Sequence, residues 1–195
     1  VFLYNNTVLF FSFVLEFPPS PQRLLHNLCA VAVSCVSDFQ NWNPGGYLDA
    51  AWDIASWFLP TGKLIVTEDF GGKNTNKIYR SKGYDIFNEN LKLIILVDGG
   101  SASASEIFAG ALREHGIAKL LGTKTFGKGS VQELIPITGE TSLKVTIARW
   151  LTPKGHNLSN DGLVPDVEVK VTQKDIDAKI DVQMNKAIEI LRKEK

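Results

Sequence analysis

An excess of charge of either sign is missing from this 195-residue chain: 21 basic residues stand against 21 acidic ones, for a formal net charge of zero. That removes the general electrostatic attraction by which basic proteins hold nucleic acid or an anionic membrane surface. Cysteine is scarce. Cys29 and Cys35 are the two present, six apart in one apolar stretch. If that stretch is a single strand they stand too far apart for a disulfide, and buried free thiols are the expectation. No CxxC or His/Cys cluster marks a metal site, and the three histidines, His26, His115 and His156, are scattered. No apolar run approaches the ~20 residues that a membrane-spanning helix needs. Residues 1–17 are apolar, with Phe10, Phe11 and Phe13 close together. They lack a basic leading region, contain Asn5-Asn6 and meet Pro18-Pro19 where small residues should stand, so no signal peptide is readable.

What is present is an ordinary globular composition, 44% apolar and 22% charged, in a length that suits one compact domain. Strand-like and helix-like segments alternate, which predicts an α/β domain. Leu28 to Val36 is a nearly continuous apolar run, as in a strand buried on both faces. The turn Asn43-Pro44-Gly45-Gly46 leads into a helical pattern from Tyr47 to Leu59, ended by Pro60 and Gly62. Lys63 to Thr67 reads as a strand, and the polar stretch 68–90 as a hairpin or mobile loop. Leu91 to Val97 is the strongest buried-strand signal; Asp98-Gly99-Gly100 breaks it, and a helix from Ser105 to His115 stops at Gly116. The strand–turn–helix unit thus occurs twice. Ala118 to Leu121 and alternating stretches near 133–136 and 142–150 follow, and Asp175 to Lys195 has the spacing of one amphipathic C-terminal helix.

The junction at 97–105 places Ser101, Ser103 and Ser105 beside the unpaired amides of a helix start, which can stabilise an oxyanion when a hydroxyl attacks a carbonyl. Ser103 also stands three before Glu106, a capping-box pattern, and a serine there is commonly only a cap. A nucleophilic serine needs a base. His115 would sit about three turns down the helix, and neither His26 nor His156 has an acidic partner nearby in sequence. The other candidate is Lys128, between Gly127 and Gly129 in a segment able to bend tightly past another. It works as a base only where desolvation or neighbours favour the neutral amine. Gln132, four residues on, can orient that amine without adding charge. A solvated lysine on an exposed hairpin is the bland alternative.

Three stretches together resemble the carboxy-terminal processing, or tail-specific, proteases: Gly100-Ser-Ala-Ser-Ala-Ser-Glu106, Gly122 to Gln132 (GTKTFGKGSVQ), and Asp161-Gly-Leu-Val-Pro-Asp166. Their order and the 25-residue step from Ser103 to Lys128 fit as well, and the likeness runs from about residue 43 to the C-terminus. The resemblance implies Ser103 as nucleophile, Lys128 as general base, Gln132 as the residue positioning the lysine, and an oxyanion hole from Ala104 and Gly46. It implies a crotonase-like α/β superhelix of β-β-α units, with no metal or organic cofactor. It further implies cleavage of protein substrates near apolar, accessible C-termini, in the periplasm or cell envelope. Many relatives carry a PDZ domain, for which 195 residues leave no room; the reading is a single peptidase core over 1–195. The family's Asp-Leu-Arg before the Asn-x-Gly-Gly turn is replaced by Asp38-Phe39-Gln40-Asn41-Trp42, and residues 1–42 read as divergent or as the product of a disrupted frame. Two rivals share the fold: an inactive module binding peptides or apolar ligands, and an acyl-CoA enzyme, which leaves the Lys128–Gln132 pair without a purpose.

Overall fold

The computed structural model describes residues 45–84, 86, 87 and 91–193, together with the backbone of four strands within residues 2–34. Those four are β1 (Phe2–Tyr4), β2 (Thr7–Leu9), β3 (Phe11–Glu16) and β4 (Cys29–Ser34). Helix α1 (Leu48–Ala55), strands β5 (Leu64–Asp69), β6 (Lys77–Arg80) and β7 (Lys92–Val97), and helix α2 (Ala104–Glu114) come next. Strands β8 (Ala118–Gly122), β9 (Ser130–Pro136) and β10 (Ser142–Leu151) precede α3 (Leu158–Asp161), β11 (Val167–Glu168), α4 (Gln173–Asp177) and α5 (Val182–Lys193).

A strand with apolar residues in unbroken succession has no face to give to water, so it belongs inside a sheet covered on both sides. β7 meets that demand. It lies in the five-stranded sheet of order β11-β8-β7-β4-β3, parallel to both β4 and β8. Leu93, Ile95 and Val97 join Leu120 and the apolar faces of α1 and α2 in the larger core. Ile94 and Leu96 join Leu121 on the opposite face, under Ala187 and Leu191 of α5. Each such side chain taken out of water stabilises the fold by about 1.5–3 kcal/mol. The second sheet, β6-β5-β10-β9, is antiparallel throughout, and the polar stretch after β5 supplies the β5–β6 hairpin.

The mixed α/β expectation therefore holds, with two differences in detail. The first helix stops at Ala55, and the chain continues in turns that still bury Phe58 and Leu59. The predicted single helix at 175–195 is two. Lys179 takes φ +55°, and the Ile180 N–H reaches back to the Asp175 carbonyl at 2.9 Å, which closes α4. Asp181 then caps the next helix, its carboxylate accepting from the Met184 N–H at 2.8 Å. The side chains of Cys29 and Cys35, His26, and the Asp38 to Trp42 segment lie outside the described residues.

Candidate active site

The site lies at the carboxyl end of β7. Asp98 ends the strand, its Oδ1 accepting from the N–H groups of Gly100 (2.8 Å) and Ser101 (3.1 Å), and this turn throws the chain outward before α2 begins. At the helix entrance Ser103 has φ +57° and ψ −120°. Among the described residues only Lys179 is the other non-glycine with positive φ. Such a conformation costs about 1–3 kcal/mol and persists only where its surroundings enforce it. It sets the serine at a sharp strand-to-helix elbow, where the capping box expected between Ser103 and Glu106 is present. Ala104 opens α2, so its N–H has no carbonyl one turn earlier in the helix to bond.

What enforces the elbow is Glu106. Its side chain is fully buried, at 0% exposure, and accepts four hydrogen bonds. Oε2 receives the backbone N–H of Ser103 and of Lys128, both at 2.9 Å. Oε1 receives the Gly127 N–H at 2.8 Å and the Thr125 hydroxyl at 2.5 Å. A buried carboxylate is tolerated when its lone pairs are all engaged, and here they are. Because one oxygen binds both, the backbone nitrogens of Ser103 and Lys128 lie within twice 2.9 Å of each other. The serine and lysine segments are neighbours, held by one side chain.

The glycines around Lys128 are needed for close approach. A Cβ on Gly129 would fall 2.3 Å from the Ser159 nitrogen, and one on Gly127 would fall 3.1 Å from the Gly162 nitrogen, at φ +86°. The Thr125 hydroxyl accepts from the Leu163 N–H at 2.7 Å, and the Phe126 N–H donates to the Ser101 carbonyl at 2.9 Å. All three of the sequence stretches that suggested a family are thereby joined in one place. Gly45, at φ +87°, packs against the serine segment: a Cβ there would lie 2.5 Å from the Ala102 carbonyl oxygen and 2.8 Å from the Ala104 nitrogen. The turn thus brings Gly45 against the helix entrance, with Gly46 next along the chain.

A family model for "Peptidase family S41" matches residues 38–169. The chain belongs to peptidase family S41. This S41 chain is 42% identical over 140 residues to a probable CtpA-like serine protease of Staphylococcus haemolyticus, covering 72% of the chain and 28% of that protein. It is 42% identical over 130 residues to a carboxy-terminal-processing protease of Bartonella bacilliformis, covering 66% of the chain and 29% of that protein. The chain thus spans less than a third of the length of these curated relatives. A solved photosystem II D1 C-terminal processing protease superposes with a TM-score of 0.60 at 33% identity, over 66% of this chain and 32% of the other. A putative S41 protease of Bacteroides fragilis superposes over 94% of the chain and 58% of its own, with a TM-score of 0.67; at 15% identity it speaks for the fold alone.

The remaining predicted residues fall as follows. Lys128 is exposed, in the coil that leads into β9, and Gln132 is exposed on β9 opposite Thr146. His115 caps the far end of α2 with its Nε2 2.6 Å from the Leu64 carbonyl, and exposed His156 stands 3.8 Å from Glu114. Neither reaches the serine segment of the S41 site. Sequence reasoning assigned Glu106 only to a cap and passed over Thr125 and Gly45. The available signal for Glu106 was a lone carboxylate leading into a small and apolar turn of helix, Ile107-Phe108-Ala109-Gly110.

Proposed function

We propose that this chain is a serine endopeptidase core that cleaves protein substrates near their C-termini through a Ser103–Lys128 dyad. The observation that carries the reading is the shared Glu106 carboxylate, which fixes the strained serine elbow and the lysine loop side by side. Neutral Lys128 takes the Ser103 proton as Oγ bonds to the scissile carbonyl carbon, and the displaced carbonyl electron pair rests on oxygen. The amides of Ala104 and Gly46 receive that oxyanion. Collapse of the intermediate breaks the C–N bond, and Lys128 returns the proton to the departing amine. A water molecule, deprotonated by the lysine, then hydrolyses the acyl ester. Gln132 orients the amine.

Lys128 is exposed. A lysine acts as a base only as the neutral amine, so the step requires cover that excludes water, and a substrate lying across the site supplies it. Exposed Tyr47, directly after Gly46, and exposed Phe126, two residues before Lys128, favour apolar substrate tails. The parallel β4-β7-β8 succession, with α1 and α2 packed on one face, is the support for a crotonase-like superhelix. The family resemblance alone supports a periplasmic or envelope location, which cell fractionation with an antibody to the chain would check.

The test is cleavage of an unstructured protein with an apolar tail. Ser103→Ala and Lys128→Ala are each expected to lower kcat by at least about 10³-fold with the fold retained by circular dichroism. Undiminished cleavage by either variant would overturn the dyad. An inert wild-type chain that still binds the peptide would return the function to a binding module.

A further inference from the structure

We infer that the polypeptide substrate binds as an added strand on the free edge of β9, through the main chain of Ser130, Gln132 and Leu134. The inference rests on the peptidase reading for the identity of the occupant. Among the described residues β9 pairs with β10 alone and ends the four-stranded sheet. Two bonds set which of its groups are used. The Gly129 carbonyl accepts from the Trp150 N–H at 2.7 Å, and the Ile137 N–H donates to the Thr141 carbonyl at 2.9 Å.

Alternation along the strand then turns odd-numbered residues 129–137 toward β10 and even-numbered ones outward. The irregularity in this pair falls on the β10 side, between Thr146 and Ala148, so the alternation along β9 is unbroken. Ser130, Gln132 and Leu134 each present an N–H and a C=O to the free edge, and Pro136, which has no N–H, presents a carbonyl and closes it.

Solvent-facing strands are ordinarily blunted by charge, and their large apolar residues are turned inward. This hairpin carries exposed Glu133 and Lys144, yet it also leaves large apolar residues in water: Leu134 is 65% exposed, Ile137 63% and Leu143 53%. An extended peptide on this edge satisfies the backbone groups and shelters these side chains, while its own alternate residues gain apolar contacts. The edge begins two residues after Lys128, so a strand laid along it runs past the lysine and covers it from water. The hairpin's exposure and the lysine's exposure thus share one explanation.

Binding separates this proposal from the catalytic one. A fluorescent casein-derived peptide bound by the full chain is compared by anisotropy with a set of singly backbone-N-methylated versions. Methylation at alternate positions is expected to weaken binding at least tenfold, and at the intervening positions less than twofold. Sensitivity with no two-residue period overturns the proposal. Leu134→Pro removes one outward N–H without touching the ladder to β10, and is expected to weaken binding about tenfold; Leu134→Ala, which keeps the amide, about threefold or less. Equal effects of the two variants overturn it. So does sedimentation showing a dimer that Leu134→Pro dissolves while peptide affinity is unchanged, because the edge would then belong to a second copy. Periodic binding without cleavage, and without labelling of Ser103 by a fluorophosphonate, would sink the peptidase reading and leave the added strand standing.

Discussion

Glu106 is where a single side chain decides the most. Replacing it with Ala leaves the part-buried amides at residues 103, 127 and 128 without their acceptor, each loss costing up to about 1–3 kcal/mol and less where water reaches the group. Glu106→Gln keeps the volume but offers an amino group where one pair of donors already points. It is expected to lower kcat by roughly 100-fold, the scale of a displacement near 1 Å in a catalytic pair, with KM changed less. Steady-state kinetics beside urea denaturation would check this; a variant with full kcat would show that the carboxylate does not set the site. Gly45→Ala is a second such position, because its Cβ has no room between the Ala102 oxygen and the Ala104 nitrogen. Loss of kcat with secondary structure intact is expected. As candidates, Ser103 and Lys128 were conspicuous because their flanking residues are unusual. Glu106 was not, since a serine three before a glutamate is what any capped helix shows, and only packing reveals that the carboxylate reaches a second segment.

Helices and strands differ in how much of themselves they write into sequence. β7 was plain because both its faces are apolar, whereas the break between α4 and α5 was hidden, since Ile176, Ile180 and Met184 keep helical spacing across it. What stops α4 is a left-handed lysine and an aspartate cap, neither of which disturbs the apolar period. α5 also carries a measurable pH dependence. Glu189 lies between Lys186 and Lys193, at 2.8 and 2.5 Å, and these ammonium groups lower its pKa from 4.5 to about 2. A carboxyl whose folded pKa is depressed contributes stability that is complete above the unfolded value. That contribution is lost as pH falls from about 4.5 to about 2. The difference in urea midpoint between wild type and Glu189→Gln should therefore shrink across that window. A difference that grows on acidification would show that the ion pairs do not act as described. The effect is small, because all three groups are at the surface.

Across the whole molecule, the parallel core of the five-stranded sheet, whose edge strand β3 runs antiparallel, is clamped between α1 and α2 on one side and α5 on the other. Leu96→Ala, at a side chain fully enclosed beneath α5, is expected to cost about 2–5 kcal/mol, read from urea denaturation. The alternation of elements was readable from the sequence, but how the two sheets pair was not, since β5 joins β10 across 80 residues of chain between Asp69 and Arg149. Long-range order of that kind has a bearing on how the protein is made. The lysine is translated 25 residues after the serine, about 1–5 s later at ordinary ribosomal speed. The elbow depends on donors from both segments meeting one carboxylate, so a nascent chain carries Ser103 for some seconds before the contact that sets the Lys128 segment beside it can form.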